Sequence, residues 1–233
     1  MPSQKYKHLF FDLDHTLWDF DTNAKETLLE LYDTYDLAAI GVPEATVFIE
    51  NYTRNNHSLW AQYHRGEISK EDLRATRFRK TFLELGLQPE QVPTQFEEDY
   101  VNICPTKKNL FPQTLEVLQY LSSKYTMHII TNGFYESSML KMNNTELTPF
   151  FATITCSEIL GHNKPDVLIF EHALQNAEAV KEQSIMIGDS LEADITGAIQ
   201  FGMDCIYFNP SKHQHTYSVT YEIEALTSLK TIL

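Results

Sequence analysis

The sequence predicts an α/β fold in which helices cover a parallel sheet. Five short apolar runs are typical of buried strands, and they span residues 8–12, 127–131, 153–157, 184–188 and 204–208. Between the later runs, residues 113–125, 165–177 and 193–202 carry apolar side chains at a spacing of about 3.6, which is typical of helices. Strands that alternate with helices indicate a parallel sheet, and near-continuous apolar strands indicate burial on both faces.

A long helical insert interrupts this alternation after the first strand. Residues 23–35, 44–63, 70–85 and 93–102 have helical patterns, and no convincing strand separates them. We therefore predict an inserted all-helical cap domain over residues 18–105 and an α/β core made of residues 1–17 and 106–233. The two connectors, near residues 18–21 and 106–109, would serve as the hinge about which the cap rotates during catalysis.

Length, charge and cysteine content restrict the class of protein. A chain of 233 residues can form one core domain with a smaller insert. The formal net charge of −14 disfavours a nucleic acid polymer as the partner, because phosphate backbones select basic surfaces. Three scattered cysteines fit a reducing compartment. With neither a signal sequence nor an apolar run of about 18 residues, the sequence predicts a cytoplasmic protein without a membrane partner.

Acidic residues follow the first predicted strand in a pattern that suggests catalysis. Asp12 and Asp14 stand two apart at the carboxyl end of this strand. Burying a charge without a partner is costly, so acids beside a buried strand need a reason. An ordinary turn is one interpretation, since Asp is common in turns. The alternative is a cation-binding site, if the other strands supply partners.

The other predicted strands also end in polar residues. Thr131 and Asn132 follow the second strand and offer a hydroxyl and an amide to an anion, although helix capping explains such residues as well. Lys164 precedes a proline suited to the first turn of a helix. Asp189 ends the fourth strand after a glycine that permits a sharp turn, and Asp194 lies in the following loop or first helical turn, where an N-cap role is the alternative.

The expected position of these side chains indicates chemistry on a phosphate. In an open α/β sheet, ligands bind beyond the carboxyl ends of the strands, so the polar residues should meet there. Carboxylate oxygens are suitable ligands for Mg²⁺, which pairs readily with phosphate groups. A lysine and a hydroxyl add further contacts to the same anion. The sequence therefore predicts a magnesium-dependent enzyme that acts on a small phosphorylated molecule.

The order of these motifs resembles that of the haloacid dehalogenase-like (HAD) superfamily. Residues 12–16, 131–132, 164–165 and 188–194 resemble its four motifs, and the helical insert resembles its cap. The resemblance extends over essentially the whole chain and implies a Rossmann-like core with an inserted cap. His15 departs from the pattern, because many members carry glycine at this position.

The resemblance implies a role for each acid. Asp12 would be the nucleophile that forms an aspartyl-phosphate, and Asp14 would protonate the leaving oxygen and then activate water. Mg²⁺ would be held by Asp12, by the backbone carbonyl of Asp14 and by Asp189. Asp194 would orient the catalytic lysine or a metal-bound water.

The resemblance also implies two anion-binding groups and a reaction class. Thr131 and Lys164 would hold and neutralise the phosphoryl oxygens, with Asn132 beside them. Asp14 favours a phosphatase or a phosphomutase over a dehalogenase, because a halide leaves without a proton. A HAD-fold module that only binds remains a third possibility, but Asp12, Asp14 and Lys164 are all present.

The cap sequence further resembles that of pyrimidine 5′-nucleotidases. Within residues 59–68, Trp60 and Tyr63 could stack on a base, or they could pack in the core of the cap. The predicted substrate is thus a nucleoside 5′-monophosphate. Hydrolysis of a sugar phosphate or of phosphoglycolate is the alternative.

Overall fold

The computed structural model describes residues 5–233 and confirms the predicted α/β class. Its sheet has six parallel strands in the order β3-β2-β1-β4-β5-β6. The strands are His8–Phe11 (β1), Thr126–Thr131 (β2), Phe151–Cys156 (β3), Ser184–Gly188 (β4), Asp204–Phe208 (β5) and Tyr221–Ile223 (β6). We did not predict β6, because this edge strand has only three residues and exposes two of them.

The first strand occupies the middle of the sheet. Phe11 is paired with Ile129 of β2 on one side and with Ile187 of β4 on the other. Leu9, Phe10 and Phe11 are completely buried, which explains why this strand is apolar rather than alternating. Because neighbouring parallel strands run in the same direction, β1, β2 and β4 end at the same edge.

The described chain divides into two compact units, and the smaller one, Asp21–Lys107, is helical. Its helices are Phe20–Thr34 (α1), Ala45–His64 (α2), Lys70–Glu84 (α3) and Phe96–Ile103 (α4). An aromatic core holds them together, in which the rings of Phe48, Phe78 and Phe82 each lie 4.8–5.8 Å from that of Phe96. A buried Arg77 adds a bidentate ion pair between α3 and Glu97 of α4, at 2.7 and 2.8 Å.

The larger unit contains the sheet and combines Met1–Phe20 with Lys108–Leu233. Its helices are Thr114–Ser122 (α5), Tyr135–Asn144 (α6), Ser157–Leu160 (α7), Val167–Asn176 (α8), Thr196–Phe201 (α9) and Leu229–Ile232 (α10). A cluster of buried side chains from β1, β2, β4, β5, α8 and α9 forms one of its cores. No helix within residues 5–233 has both the length and the apolarity needed to span a membrane.

The boundaries of the units lie two or three residues beyond the predicted positions 18 and 105. Trp18 stays with the sheet because it forms an isolated bridge with Leu110, and the Asp19 amide donates to the Asn109 carbonyl at 3.1 Å. The backbone therefore connects residues 17–19 to residues 109–111 before the chain enters the helical unit.

Candidate active site

Three neighbouring strands place the predicted polar residues side by side. Asp12 directly follows β1, Thr131 ends β2 and Asp189 directly follows β4. The Asp12 amide donates to the Ile187 carbonyl of β4 at 2.9 Å, which fixes the backbone at this point. The expected meeting of these residues at one edge of the sheet is therefore what the larger unit shows.

Three aspartates form a compact acidic cluster at this edge. Each of Asp12, Asp189 and Asp194 offers a carboxylate oxygen, and these oxygens all lie within 4.8 Å of one another. Asp12 and Asp194 are buried, and Asp189 is partly buried. Three carboxylates in one buried place repel each other when they are ionised. The cluster therefore requires positive charge nearby.

Lys164 supplies part of that charge. Its Nζ donates to Asp12 Oδ1 at 2.5 Å, to Asp194 Oδ1 at 2.7 Å and to the Ile130 carbonyl at 2.7 Å. These three bonds use all three hydrogens of the ammonium group. The side chain is almost completely buried, so an ammonium without these partners would be very costly there.

The charges of the cluster shift the pKa values of its members. Burial raises the pKa of Asp12 well above its usual range, Lys164 opposes this rise, and Asp194 and Asp189 add to it. Burial and the Asp194 carboxylate raise the pKa of Asp189 to about 7. Burial alone would lower the pKa of Lys164, but the Asp12 and Asp194 carboxylates raise it on balance. Asp12 and Asp189 are therefore harder to ionise here than in water, and positive charge beside them would oppose this effect.

Asp194 approaches the sheet through a space that only glycine leaves open. A side-chain carbon on Gly188 would clash with Asp194 Oδ2. The sequence predicts that this glycine permits a sharp turn, whereas in the structure it makes room for the Asp194 side chain. Ser190, not Asp194, caps the following turn by accepting from the Ala193 amide at 3.1 Å. Asp194 accepts instead from the Ser190 amide at 3.0 Å, within the single π-helical turn Leu191–Ile195.

The segment that carries Lys164 is held by Asn132. The Asn132 side chain accepts from the Lys164 amide at 2.8 Å and donates to the Lys164 carbonyl at 3.0 Å. The peptide bond between Lys164 and Pro165 is cis. The prediction that Pro165 lies in the first turn of the helix is wrong. Asp166 is the N-cap of α8, and its side chain accepts from the Leu168 amide at 3.0 Å.

Thr131 lies beside the start of α6. Its hydroxyl oxygen accepts from the Gly133 amide at 3.0 Å, and its side chain is buried. A side-chain carbon on Gly133 would come within 3.3 Å of Thr131 Oγ1, Ser138 Oγ and Asp14 Oδ2. The absence of a side chain at Gly133 thus allows three polar groups to converge there.

Two residues of the site, Lys141 and Thr16, received no role of their own in the sequence analysis. Lys141 on α6 donates to both carboxylate oxygens of Asp14, at 2.7 and 2.9 Å. Thr16 donates its hydroxyl to Asp189 Oδ1 at 2.9 Å. One signal for Lys141 exists, because it falls three residues after Ser138 and directly before Met142, on the buried side of the helix. A lysine in such a position needs an acidic partner.

Trp60 and Tyr63 belong to the helical unit and lie near the end of α2. Their ring centroids are 5.5 Å apart with perpendicular planes, and the His64 ring lies 5.5 Å from that of Trp60. Both side chains are partly buried. Trp60, Tyr63 and His64 thus form an aromatic group near the end of α2.

The donor set of the acidic cluster fits a hard divalent cation. Mg²⁺ prefers oxygen ligands and takes one or two carboxylates together with phosphate oxygens. Asp189 accepts from the Thr16 hydroxyl, and within residues 5–233 it has no ion pair, whereas Asp12 and Asp194 share Lys164. A cation at this place would stabilise the ionised forms of these carboxylates.

Comparison with known proteins identifies the family. Residues 6–202 match the haloacid dehalogenase-like hydrolase family. The chain is 33% identical over 228 residues to pyrimidine 5′-nucleotidase PynA of Streptococcus pneumoniae, covering 96% of this chain and 93% of the relative. It is 26% identical over 234 residues to pyrimidine 5′-nucleotidase YjjG of Escherichia coli, covering 98% of each.

A solved structure gives the same result. YfnB from Bacillus subtilis, described as bound to magnesium and as revealing interdomain movement, superposes with a TM-score of 0.88 at 27% identity and covers 98% of both chains. The fold and the site therefore define a hydrolase with a Rossmann-like core. The chain belongs to the haloacid dehalogenase-like hydrolase family, as the resemblance of its motifs predicted.

Proposed function

We propose that the protein is a magnesium-dependent phosphatase that hydrolyses a nucleoside 5′-monophosphate with a pyrimidine base. The observation that carries this proposal is the second acid, Asp14, held beside the Asp12 cluster by a lysine of its own. A halide leaves without a proton, whereas an alcohol leaving from phosphorus requires one. The pair of acids therefore supports phosphoester hydrolysis over dehalogenation.

Asp12 is the proposed nucleophile. A carboxylate oxygen of Asp12 attacks phosphorus, a bond from Asp12 to phosphorus forms, and the bond to the leaving oxygen breaks. Asp14 donates its proton to that oxygen and afterwards takes one from the water that hydrolyses the aspartyl-phosphate. The Lys164 bond to Asp12 favours the ionised, nucleophilic form of this buried group.

Thr131 and Lys164 are the proposed contacts for the phosphoryl oxygens. The Thr131 oxygen already accepts from Gly133, so its hydrogen is available for an anion. All three donors of Lys164 have protein acceptors, so a contact with phosphate exchanges the bond to Asp12 while the bonds to Asp194 and Ile130 stay. Asn132 contributes by keeping the Lys164 backbone in place.

Asp12, the backbone carbonyl of Asp14 and Asp189 are the proposed ligands of Mg²⁺. When bound, the ion supplies positive charge that lets an anionic carboxylate approach an anionic phosphate. Asp194 orients Lys164 through its 2.7 Å bond, and Thr16 orients Asp189.

A panel of phosphate esters tests the function and the substrate class. We expect hydrolysis of dUMP, UMP and dTMP with Mg²⁺, and loss of activity with EDTA. Asp12→Asn should lower kcat by at least about 10³-fold, since removal of a nucleophile commonly costs this much or more. Asp204→Asn, which changes an acid at the start of β5, is the matched control and should keep wild-type activity.

Two outcomes would overturn the proposal. A clear preference for phosphoglycolate or a sugar phosphate would overturn the nucleotide assignment. A folded wild-type protein that is as inactive as Asp12→Asn would overturn the enzymatic assignment. The remaining interpretation would then be a module of this fold that binds ligands without catalysis.

The proposed contacts to the base have their own test. Trp60 and Tyr63 are the proposed stacking residues, a role that the two relatives named pyrimidine 5′-nucleotidases support. Trp60→Ala should raise the KM for dUMP by about 10-fold, because stacking on an aromatic residue contributes about 1–3 kcal/mol per base. The kinetics with p-nitrophenyl phosphate, which lacks a nucleobase, should change much less. Equal effects on both substrates would contradict the stacking role.

A further inference from the structure

Lys141 is a buried lysine at the site whose role the proposed reaction leaves open. It lies on α6, directly after the strand that ends in Thr131, and its side chain is only 6% exposed. Its Nζ donates to Asp14 Oδ1 at 2.7 Å and to Asp14 Oδ2 at 2.9 Å. A buried ammonium is stable only when it is paired, and Asp14 supplies the carboxylate that pairs with Lys141.

Aromatic rings fix the ammonium from its other sides. Lys141 Nζ lies 4.4 Å from the centre of the Trp18 ring and 5.6 Å from that of Phe20. The faces of aromatic rings attract cations, most strongly in Trp and where water is excluded. Trp18 itself is completely buried. The ammonium therefore has a defined position that does not depend on Asp14 alone.

The backbone around Asp14 is equally constrained. The amides of Leu17 and Trp18 both donate to the Leu13 carbonyl, and the His15 amide donates to the Trp18 carbonyl at 2.9 Å. These bonds close the loop on both sides of Asp14. The direction of its side chain within this loop is then set by the bidentate bond to Lys141.

The two lysines of the site act on different acids. Lys164 bonds to Asp12 and Asp194, and Lys141 bonds to Asp14. The group proposed to attack phosphorus and the group proposed to carry the proton therefore have separate cations. A change at Lys141 should alter proton transfer while nucleophile and phosphate contacts stay in place.

We propose that Lys141 is a positioning residue that holds the Asp14 carboxylate in place for proton transfer to and from the reacting oxygens. This inference rests on the proposed phosphatase function. Asp14 enters this step in its protonated form. When the bond from phosphorus to the leaving oxygen breaks, the Asp14 proton moves to that oxygen, and the resulting carboxylate forms the ion pair with Lys141 that the structure shows. Attack of water on phosphorus then breaks the bond to Asp12 and returns one proton to Asp14. Lys141 remains an ammonium throughout.

Leaving-group dependence distinguishes this role from a merely structural one. An ester with a basic leaving oxygen needs the proton from Asp14, whereas 2,4-dinitrophenol leaves readily as an anion. With phenyl phosphate, Lys141→Met should lower kcat by about 10²-fold, the lower end of what general acid catalysis contributes. With 2,4-dinitrophenyl phosphate the loss should be only a few-fold, and KM should change little for either ester. Lys141→Arg should recover part of the loss.

A double-mutant cycle with Asp14→Asn completes the test. If Lys141 acts only through Asp14, adding Lys141→Met to Asp14→Asn should cost no further activity with phenyl phosphate. Lys230→Met is the matched control, because this lysine of the same unit is paired with Glu116 near the surface. It should leave the activity towards both esters unchanged.

The outcomes separate the two proposals. A wild-type protein that hydrolyses none of the esters or nucleotides overturns the phosphatase function itself. An active wild type in which Lys141→Met loses the same factor with both esters, or adds fully to Asp14→Asn, overturns the role of Lys141 alone. Should Lys141→Met fail to fold, Lys141→Arg decides, because its kcat for phenyl phosphate should fall more than that for 2,4-dinitrophenyl phosphate, and equal losses overturn the role.

Discussion

At the scale of single residues, the distribution of positive charge among the four aspartates determines what each of them can do. Lys164 is bonded to Asp12 and Asp194, and Lys141 is bonded to Asp14. Asp189 accepts a hydroxyl from Thr16 and has no ion pair within the described residues. Of the four carboxylates, Asp189 is therefore the one whose negative charge a bound metal ion would stabilise most.

The first prediction concerns the stability of this acidic cluster. Mg²⁺ at about 100 times its Kd should stabilise the wild-type protein by about 2.7 kcal/mol, because it binds the folded state only. For a protein of this size, that corresponds to a rise in Tm of about 5–10 °C. Asp189→Asn should raise Tm without metal, since it removes repulsion from Asp194, and should abolish most of the metal-induced rise. Calorimetry with and without Mg²⁺ measures both effects.

The control is Asp204→Asn, which keeps the cluster intact and should show the full rise with Mg²⁺. An Asp189→Asn variant that responds to Mg²⁺ like the wild type would contradict the assignment of Asp189 as a ligand.

At the scale of elements, the helical unit depends on one buried ion pair. Arg77 is 4% exposed and forms a bidentate bond with Glu97, and its guanidinium lies 4.9 Å from the Tyr100 ring. The pair joins α3 to α4, which also share aromatic contacts and the more exposed ion pairs of Arg74. Glu98, the next residue, pairs with Arg74 and is 54% exposed. We therefore expect the adjacent acids Glu97 and Glu98 to contribute very differently to the stability of the helical unit.

The second prediction compares these two acids. Glu97→Gln leaves Arg77 buried without its carboxylate and should lower the free energy of unfolding of the helical unit by about 3 kcal/mol. Glu98→Gln should lower it by less than about 1 kcal/mol, as is usual for surface pairs. Urea unfolding in a Trp18→Phe background, where Trp60 is the remaining tryptophan, measures this unit. Similar losses in both variants would contradict a dominant role for the buried pair.

At the scale of the whole molecule, a buried histidine makes folding dependent on pH. His128 of β2 is 1% exposed, stacks on Phe10 at 4.7 Å, and is hydrogen-bonded to Thr153 and His8. Burial and the neighbouring His8 lower the pKa of His128 to about 4. Burial also lowers the pKa of His8. The folded protein thus keeps this part of the sheet neutral at pH values where an unfolded chain binds protons.

The third prediction follows from this shift. Between about pH 6.5 and pH 4 the unfolded state binds a proton that folded His128 does not, so stability falls as the pH falls. The decrease from this residue should reach about 3 kcal/mol and be complete near pH 4. Urea unfolding at about pH 7.5, 5.5 and 4.5 should show a steeper decrease for the wild type than for His128→Gln, which cannot titrate. Parallel decreases would show that other groups cause the acid sensitivity.

The parts of the molecule that the sequence predicts are those that local patterns determine. The strand 184–188 and the helical run from residue 70 are seen almost as predicted, because apolar spacing and flanking residues define them. The pairing of Lys141 with Asp14 spans 127 positions, and that of Thr16 with Asp189 spans 173. No local pattern records such pairs, since the sheet order creates them. The room that Gly188 gives to Asp194 also becomes visible only once the chain has folded.

The central position of β1 restricts how the length of this chain can vary. Strand side chains alternate between the two faces, so removing one residue from His8–Phe11 would move Asp12 to the opposite face and shift its pairing with both β2 and β4. Such a deletion would damage the site and the core at once. Residues 211–218 are mostly exposed and lie outside regular structure, so they can accept insertions at little cost. Natural or engineered changes in length are therefore to be expected in that loop and not in the first strand.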